Sequence, residues 1–356
     1  MASARRTREI AYPNPIIQRL YSQKIDKHTF LVDGTGEVQR VEANINPHEG
    51  NLLYRLVTDE KDPMYRTLEV GCAGGTSALY LTQGVLDRYS KRDDSELKGT
   101  PPADPRDFTE LDPASFPSSG KTHTIGSKSL ALKVSSPDEA TVRRAEDLRA
   151  KGAIHVAIDP YQMGPHTGVA ENEKGWQGLG VFNVHQAGTL PMVRLVQKKS
   201  HVALPQALET YGEGSFDLVF VDGMHLYDYT LVDVFYGAML LREGGLLVVD
   251  DIQHPSVKEV AWYLDDNYTN FKRIETKGVH TMGVWRKLRD DDRKWSFHCS
   301  VCKVPDRIEK GMRAHTRKKS TARDRDRDER PGRKQGRQQG RTQGRTQRRK
   351  QGGKNQ

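Results

Sequence analysis

Phe216-Asp-Leu-Val-Phe-Val-Asp222-Gly-Met-His225-Leu-Tyr227, followed by Leu240-Leu-Arg-Glu-Gly-Gly-Leu-Leu-Val-Val-Asp250-Asp251, decides the fold of this 356-residue chain. Two apolar runs of strand length each end in carboxylates, Asp222 on the first and Asp250 with Asp251 on the second. Between them Leu231, Val234, Phe235, Ala238 and Leu241 recur at helical spacing, which predicts a helix over 228–241 with those side chains on its buried face. A strand, a covering helix and a second strand make one unit of a parallel sheet.

The same alternation extends in both directions. Upstream, a strand at Thr67-Leu-Glu-Val-Gly71 runs through Cys72-Ala-Gly-Gly75 into a helix from Thr76 to about Tyr89, and 51–58 carries Leu52, Leu53, Leu56 and Val57 at helical spacing. Ser136-Pro-Asp-Glu139 reads as a helix start, with Ser136 as N-cap, Pro137 at the first helical position and Glu139 closing a capping box. That helix stops at Gly152 and leads to a strand over Ile154–Ile158 that ends in Asp159. Further strands are predicted at 192–196, 271–275 and 279–285, with helices at about 202–211 and 256–267. The expected class is α/β, a mostly parallel sheet with helices on both faces.

Charge and composition bound the rest. Residues 286–356 hold 25 basic and 9 acidic side chains, a charge of +16, which leaves 31 basic and 38 acidic, a charge of −7, in residues 1–285. The chain's net +9 therefore belongs to its tail. After Ala322 no member of the AVILMFWYC set occurs, so no core can form there and a disordered tail over 289–356 is expected. Its Arg/Gly/Gln composition lacks Phe and Tyr, giving phosphate attraction without base stacking and so only weak nucleic-acid contact. The expected organisation is a lead-in over 1–50, a catalytic domain over 51–288 with a Pro-rich insertion at about 90–135, and the tail. No run approaches the roughly 20 apolar residues of a membrane span, and three cysteines make no disulfide framework, so a cytoplasmic protein is expected. Cys299-x-x-Cys302 with His298 and His315 lacks the usual fourth zinc ligand and reads as an exposed pair.

Three groups of residues can carry chemistry. Glycines at the strand-to-helix turn Gly71–Gly75 let a ligand approach the backbone and leave helix N-terminal N–H groups free. Asp159, at the end of the next strand, can accept hydrogen bonds from both hydroxyls of a ribose, although it stands 84 residues after Gly75 (159 minus 75), so the insertion has to loop out. Asp222, Asp250 and Asp251 lie at strand C-termini, where open α/β sheets bind ligands, and three convergent carboxylates call for an oxygen-preferring divalent cation. His225, three residues past Asp222, is a general base candidate over the same cleft.

In this order Glu69 to Gly75, Asp159, Asp217 to Tyr227 and Gly244 to Asp251 resemble the class I S-adenosylmethionine-dependent methyltransferases. Within them Asp222-Gly-Met-His225 and Asp250-Asp251 are similar to the metal-dependent macrocin- and mycinamicin-type O-methyltransferases, and more distantly to the catechol type. The resemblance implies a Rossmann-like sheet of seven strands with the last antiparallel. It implies that Glu69, Gly71, Ala73, Gly74, Gly75, Ser77, Asp159 and Asp222 bind the cofactor S-adenosylmethionine, that Asp222, Asp250 and Asp251 hold Mg²⁺ or another divalent cation, and that His225 is the base. The catechol type has Lys where His225 stands and Asn where Asp251 stands, so a sugar-like hydroxyl of a small-molecule acceptor is the expected target. Two rivals remain: a nucleic-acid methyltransferase served by the basic tail, and a nucleotide-binding protein without catalysis.

Overall fold

The computed structural model describes residues 12–299 apart from 26–27, 42–43, 93, 98–101, 106, 119–122, 126–127, 131–133 and 164–174. The lead-in holds helix α1 (Pro15–Ser22) and three antiparallel strands, β1 (Lys24–Ile25), β2 (His28–Val32) and β3 (Val38–Val41). Helix α2 (Pro47–Thr58) follows, starting where Asn46 and Glu49 form a reciprocal capping box. Then come β4 (Arg66–Val70) and α3 (Thr76–Lys91). The insertion contributes β5 (Phe108–Thr109) and a small hairpin of β6 (His123–Ile125) and β7 (Lys128–Leu130). The rest alternates: α4 (Glu139–Ala150), β8 (Ile154–Ile158), α5 (Leu179–Gln186), β9 (Val193–Val196), α6 (Ser200–Tyr211), β10 (Phe216–Val221), α7 (Tyr227–Leu240), β11 (Leu241–Val249), α8 (Pro255–Asn267), β12 (Phe271–Ile274) and β13 (Gly283–Lys287).

The main sheet has the order β12-β13-β11-β10-β4-β8-β9-β5. Strands β11, β10, β4, β8 and β9 run parallel, and β13 inserts antiparallel between β11 and β12. These are the seven strands of the Rossmann-like arrangement with an antiparallel last strand; β5, two residues of the insertion, pairs antiparallel with β9 as an eighth. Side chains alternate between two cores as a pleated strand requires. Leu218, Phe220, Leu246 and Val248 point to the layer built by the lead-in, α2, α3 and α5. Val219, Val221, Leu247 and Val249 point to the layer of α6, α7 and α8. Asp217 ties three strands at their other end, accepting from the Tyr65 and Arg66 N–H groups and pairing with Arg242 at 2.6 Å.

Some local expectations shift. Helix α4 is capped by Asp138, not Ser136, because the Asp138 carboxylate accepts the Thr141 N–H at 2.8 Å. On α7, Val234 and Ala238 are buried but Phe235 is 47% exposed; helical rotation carries it off the face that Val234 defines. The strand expected over 279–285 begins at Gly283, and Val279 is buried in the preceding loop. Helix α5 and strands β1–β3 had no periodic signal strong enough to read. Cys302 and His315 fall outside the described residues, as does the tail from 300 onward. Among the described residues no helix is long and apolar enough to cross a membrane.

Candidate active site

The C-terminal ends of β4, β8, β10 and β11 open into a cavity of about 420 Å³. Its floor is the turn after β4. Gly71 has φ +89°, and a Cβ there would run into the Asp222 carbonyl, so only glycine fits. Ala73 keeps a left-handed φ of +44°. The Asp159 carboxylate makes that tolerable by accepting the Ala73 N–H at 2.8 Å and the Cys72 N–H at 3.3 Å, while the Gln162 side chain donates to the Ala73 carbonyl at 2.7 Å. Gly74 and Gly75 answer a different constraint. A Cβ on Gly74 would meet Asn44 Oδ1 at 2.7 Å, and one on Gly75, which caps α3 at φ +76°, would press on the Gly180 backbone. The turn is held between the lead-in, the loop after β8 and α5.

Glu69, beneath this turn, is fully buried. Ser77 of α3 donates to its Oε2 at 2.7 Å, and His155 Nε2 lies 3.4 Å from its Oε1. Thr67 fixes the other imidazole nitrogen at 2.8 Å. Glu69, Ser77, Gly74 and Gly75 thus stand behind the cavity wall, whereas Gly71, Ala73, Asp159, Asp222, His225, Asp250 and Asp251 line it. Burial pushes the Asp159 carboxyl upward, and the Tyr161, Ala73 and Cys72 N–H groups and the Gln162 amide oppose that rise.

At the opposite wall His225 Nε2 lies 3.3 Å from Asp222 Oδ1 and 3.1 Å from Asp251 Oδ2. Its carbonyl accepts the Ser256 hydroxyl at 2.5 Å, and its ring stacks parallel on His254 with centroids 5.5 Å apart. Asp251 adopts φ +54°, which turns its carboxylate toward the imidazole. The hydrogen bond to Asp222 raises the proton affinity of His225, with Asp251 adding to it against burial. Burial lifts Asp222 to about 6, and burial together with Asp222 and Glu49 lifts Asp250 to about 9. Carboxylates held this high in a common cleft lack positive charge.

Their donor atoms test the cation expectation. One oxygen each of Asp222 and Asp251 and one nitrogen of His225 lie within 4.8 Å of one another, a set of two hard oxygens and one imidazole that suits a divalent ion. Asp250 stands beside this group and not in it. Its Oδ1 accepts the Asp251 N–H at 2.7 Å, which turns the carboxyl back along the chain, and its Oδ2 takes no hydrogen bond from any described residue. Of the expected ligands, the structure brings Asp222 and Asp251 together with His225 and leaves Asp250 beside them.

Sequence reading missed part of the wall: Asn44 and Glu49 from the lead-in and α2, Trp176, and Lys199, Ser200 and Tyr229 from α6 and α7. Glu49 is recognisable in sequence as a capping-box residue, but its place on the wall depends on α2 packing over the sheet. Thr281 donates its hydroxyl to Glu49 Oε1, 232 residues away in the chain.

Asp233 of α7 is a buried carboxylate just behind the cavity. It is 1% exposed, neither oxygen has hydrogen-bond geometry to a partner, and Ser200 approaches without closing a bond. Burial lifts it from 3.8 to about 7. The native state therefore holds this proton more tightly, so its contribution to stability is full at acid pH and is lost as pH rises to about 7. The loss is on the order of 4 kcal/mol. Asp233→Asn is expected to flatten the dependence of urea-unfolding stability on pH between 4 and 7. An unchanged slope would assign the dependence to other carboxylates.

Residues 139–252 match the family model described as a methyltransferase domain. The match runs from α4 through the Asp250-Asp251 turn and includes Asp159, Asp222 and His225. No curated protein matches the sequence. Among solved structures, the chain is similar to cofactor-bound Rv0187 from MTB, at 14% identity and a TM-score of 0.42 over 70% of this chain and 84% of that one. It is also similar to an O-methyltransferase from Bacillus cereus in complex with SAH, at 12% and 0.39 over 69% and 83%. A third likeness is to the O-methyltransferase TomG from Streptomyces achromogenes, involved in tomaymycin synthesis and in complex with SAM, at 16% and 0.38 over 69% and 82%. Over that segment the chain carries a methyltransferase domain.

Proposed function

We propose that this methyltransferase moves a methyl group from S-adenosylmethionine to a hydroxyl oxygen of a small molecule, assisted by a divalent cation. The observation that carries the reading is that one cavity joins the Gly71–Ala73 turn and Asp159 on one side to Asp222, His225 and Asp251 on the other. The first side suits a nucleoside with a polar tail, and the second suits a hydroxyl that must lose a proton.

The sulfonium supplies an already activated methyl group, whose transfer breaks the S–CH₃ bond, forms O–CH₃ and leaves the electron pair on a neutral thioether. A cation held by Asp222 and Asp251, with Asp250 beside them, would supply Lewis-acid stabilisation of the acceptor oxygen. With the cation on the two carboxylates and the imidazole left uncoordinated, His225 Nε2 takes the hydroxyl proton, and Asp222 and Asp251 beside it stabilise the resulting imidazolium. Ser256 and the His254 ring hold the imidazole in place. Holding the acceptor in line with the methyl group supplies several kcal/mol of the barrier reduction.

Titration calorimetry with S-adenosylmethionine is expected to give micromolar binding, and no heat at millimolar ligand would sink the reading. Chelator treatment and Asp251→Ala are each expected to lower turnover at least about tenfold, with added Mg²⁺ or Mn²⁺ restoring the chelated wild type. Turnover untouched by both would make the carboxylates structural.

A further inference from the structure

One aromatic side chain on the cavity wall has no part in the chemistry proposed above. Trp176 is half-buried, packs against the core beneath the lead-in and lines the cavity. It is fixed from two sides. On the inner side its N–H donates to the Tyr161 carbonyl at 2.9 Å, and the Gly178 N–H donates to the Gln162 carbonyl. Both acceptors belong to the loop that Asp159 organises, since Asp159 Oδ1 accepts the Tyr161 N–H at 2.9 Å and Oδ2 accepts the Gln162 amide at 3.0 Å. On the outer side stands the tip of the β2–β3 hairpin. The Gly34 N–H donates to the Gln177 carbonyl at 2.9 Å, and a Cβ on Gly34 would meet that oxygen at 3.0 Å and the Gly178 Cα at 3.1 Å. Asp33, 1% exposed, stiffens the tip by accepting the Thr35 N–H at 2.9 Å, the Glu37 N–H at 3.0 Å and the Gln39 amide at 2.7 Å. The backbone around the tryptophan is left-handed, with φ of +64° at Gly175, +48° at Gln177 and +74° at Gly178. Gln177 holds that conformation without glycine's freedom, and such strain persists only where the surroundings over-determine it, as they do at ligand sites.

We propose that Trp176 covers the adenine ring of the cofactor and that the β2–β3 hairpin, through Gly34, holds it there; this rests on the methyltransferase reading of the cavity. With the ribose on Asp159, the base is the neighbouring part of the cofactor and its only flat π surface. Trp176 is one hydrogen bond from the loop that carries Asp159, on the side of the cavity away from His225 and Asp251. A large rigid aromatic face stacks on a base with little loss of side-chain freedom. Trp176 is then a cofactor-binding residue. Gly34, whose backbone grips the segment behind it, is a positioning residue, and the lead-in becomes part of the cofactor site.

The test uses the full chain with S-adenosylhomocysteine and adenosine, each followed by titration calorimetry and by tryptophan emission. The chain has four tryptophans, Trp176, Trp262, Trp285 and Trp295. Saturation with S-adenosylhomocysteine is expected to change the emission of wild type. Trp176→Phe is expected to abolish that change while keeping affinity within about threefold, because a ring still meets the base. Trp176→Leu is expected to weaken both ligands at least about tenfold and by the same factor, since adenosine contains everything the ring touches. Gly34→Val is expected to weaken both at least about threefold, again by one factor, and to shrink the emission change. Affinities are compared among variants whose urea-unfolding midpoint matches wild type, with Gly34→Ala standing in if the valine variant unfolds early. Binding to wild type without an emission change, a change that survives Trp176→Phe, or wild-type affinity in Trp176→Leu overturns the proposal. Wild-type affinity and emission in the Gly34 variant overturn the hairpin's part in it. Calorimetry on wild type separates these failures from the deeper one: no binding of S-adenosylhomocysteine at all brings down the transferase reading itself.

Discussion

His225→Ala is expected to lower the rate of methyl transfer by about 10²–10⁴ while leaving S-adenosylmethionine affinity within a few-fold of wild type. The imidazole is 42% exposed at the cavity mouth, and its polar contacts run to Asp222 and Asp251 and not to the Gly71–Gly75 turn. Its loss removes the proton acceptor and leaves the nucleoside end intact. A second signature is independent of magnitude. The hydrogen bond to Asp222 raises the His225 pKa above its ordinary 6.5, so a base at this position makes the wild-type rate climb as pH rises through that elevated value. Single-turnover rates across pH should show this limb in wild type and lose it in the variant. A variant that keeps both rate and limb would remove His225 from the chemistry.

Gly71→Ala is expected to destabilise the protein on the order of 5 kcal/mol and to abolish cofactor binding. Two effects add at this position. A left-handed φ of +89° is strained for any residue with a Cβ, and the new methyl would be driven into the Asp222 carbonyl, which belongs to a buried strand end and cannot give way. Relief would require parting β4 from β10, whose parallel register runs from Thr67–Leu218 to Val70–Val221. Urea unfolding measures the first effect and calorimetry the second. A variant of wild-type stability that still binds S-adenosylmethionine would show that the turn opens freely. Gly74→Ala is the informative contrast, because the one close contact of its Cβ is with a side-chain atom, Asn44 Oδ1, and not with backbone.

These residues show why parts of the molecule were legible from sequence. Strands β8, β10 and β11 are apolar runs ended by carboxylates, β4 runs instead into the glycine turn, and nearly continuous burial on both faces leaves few other readings. The acids at their ends, Asp159, Asp222, Asp250 and Asp251, could be placed on one rim because parallel strands align their C-termini. The lead-in resisted. Strands β1–β3 are two to five residues long and mostly half-exposed, so their alternation is too short to stand out. Helix α5 is buried nearly all round and begins at Gly178 without a side-chain cap, removing both the amphipathic stripe and the start signal. Glu49 and Asn44 reach the cavity through tertiary packing alone. The division between Asp250 and His225 at the candidate cation group depends on backbone torsion at Asp251, which residue identity does not encode.

The bond between Thr281 and Glu49 also has a meaning in time. A ribosome releases Glu49 early and Thr281 232 residues later, and the ion pair between Glu60 and Arg286 spans a similar gap of 226. Until β13 emerges and inserts between β11 and β12, α2 lacks these two distal anchors. The sheet can assemble progressively as each helix and strand appears, since its neighbours are mostly local along the chain. The cavity cannot, because Glu49 on its wall takes a bond from Thr281, which lies beyond the last strand that lines it. A nascent chain arrested before residue 281 would hold a largely paired sheet with an unfinished pocket, and competence to bind would arrive as one late event in synthesis.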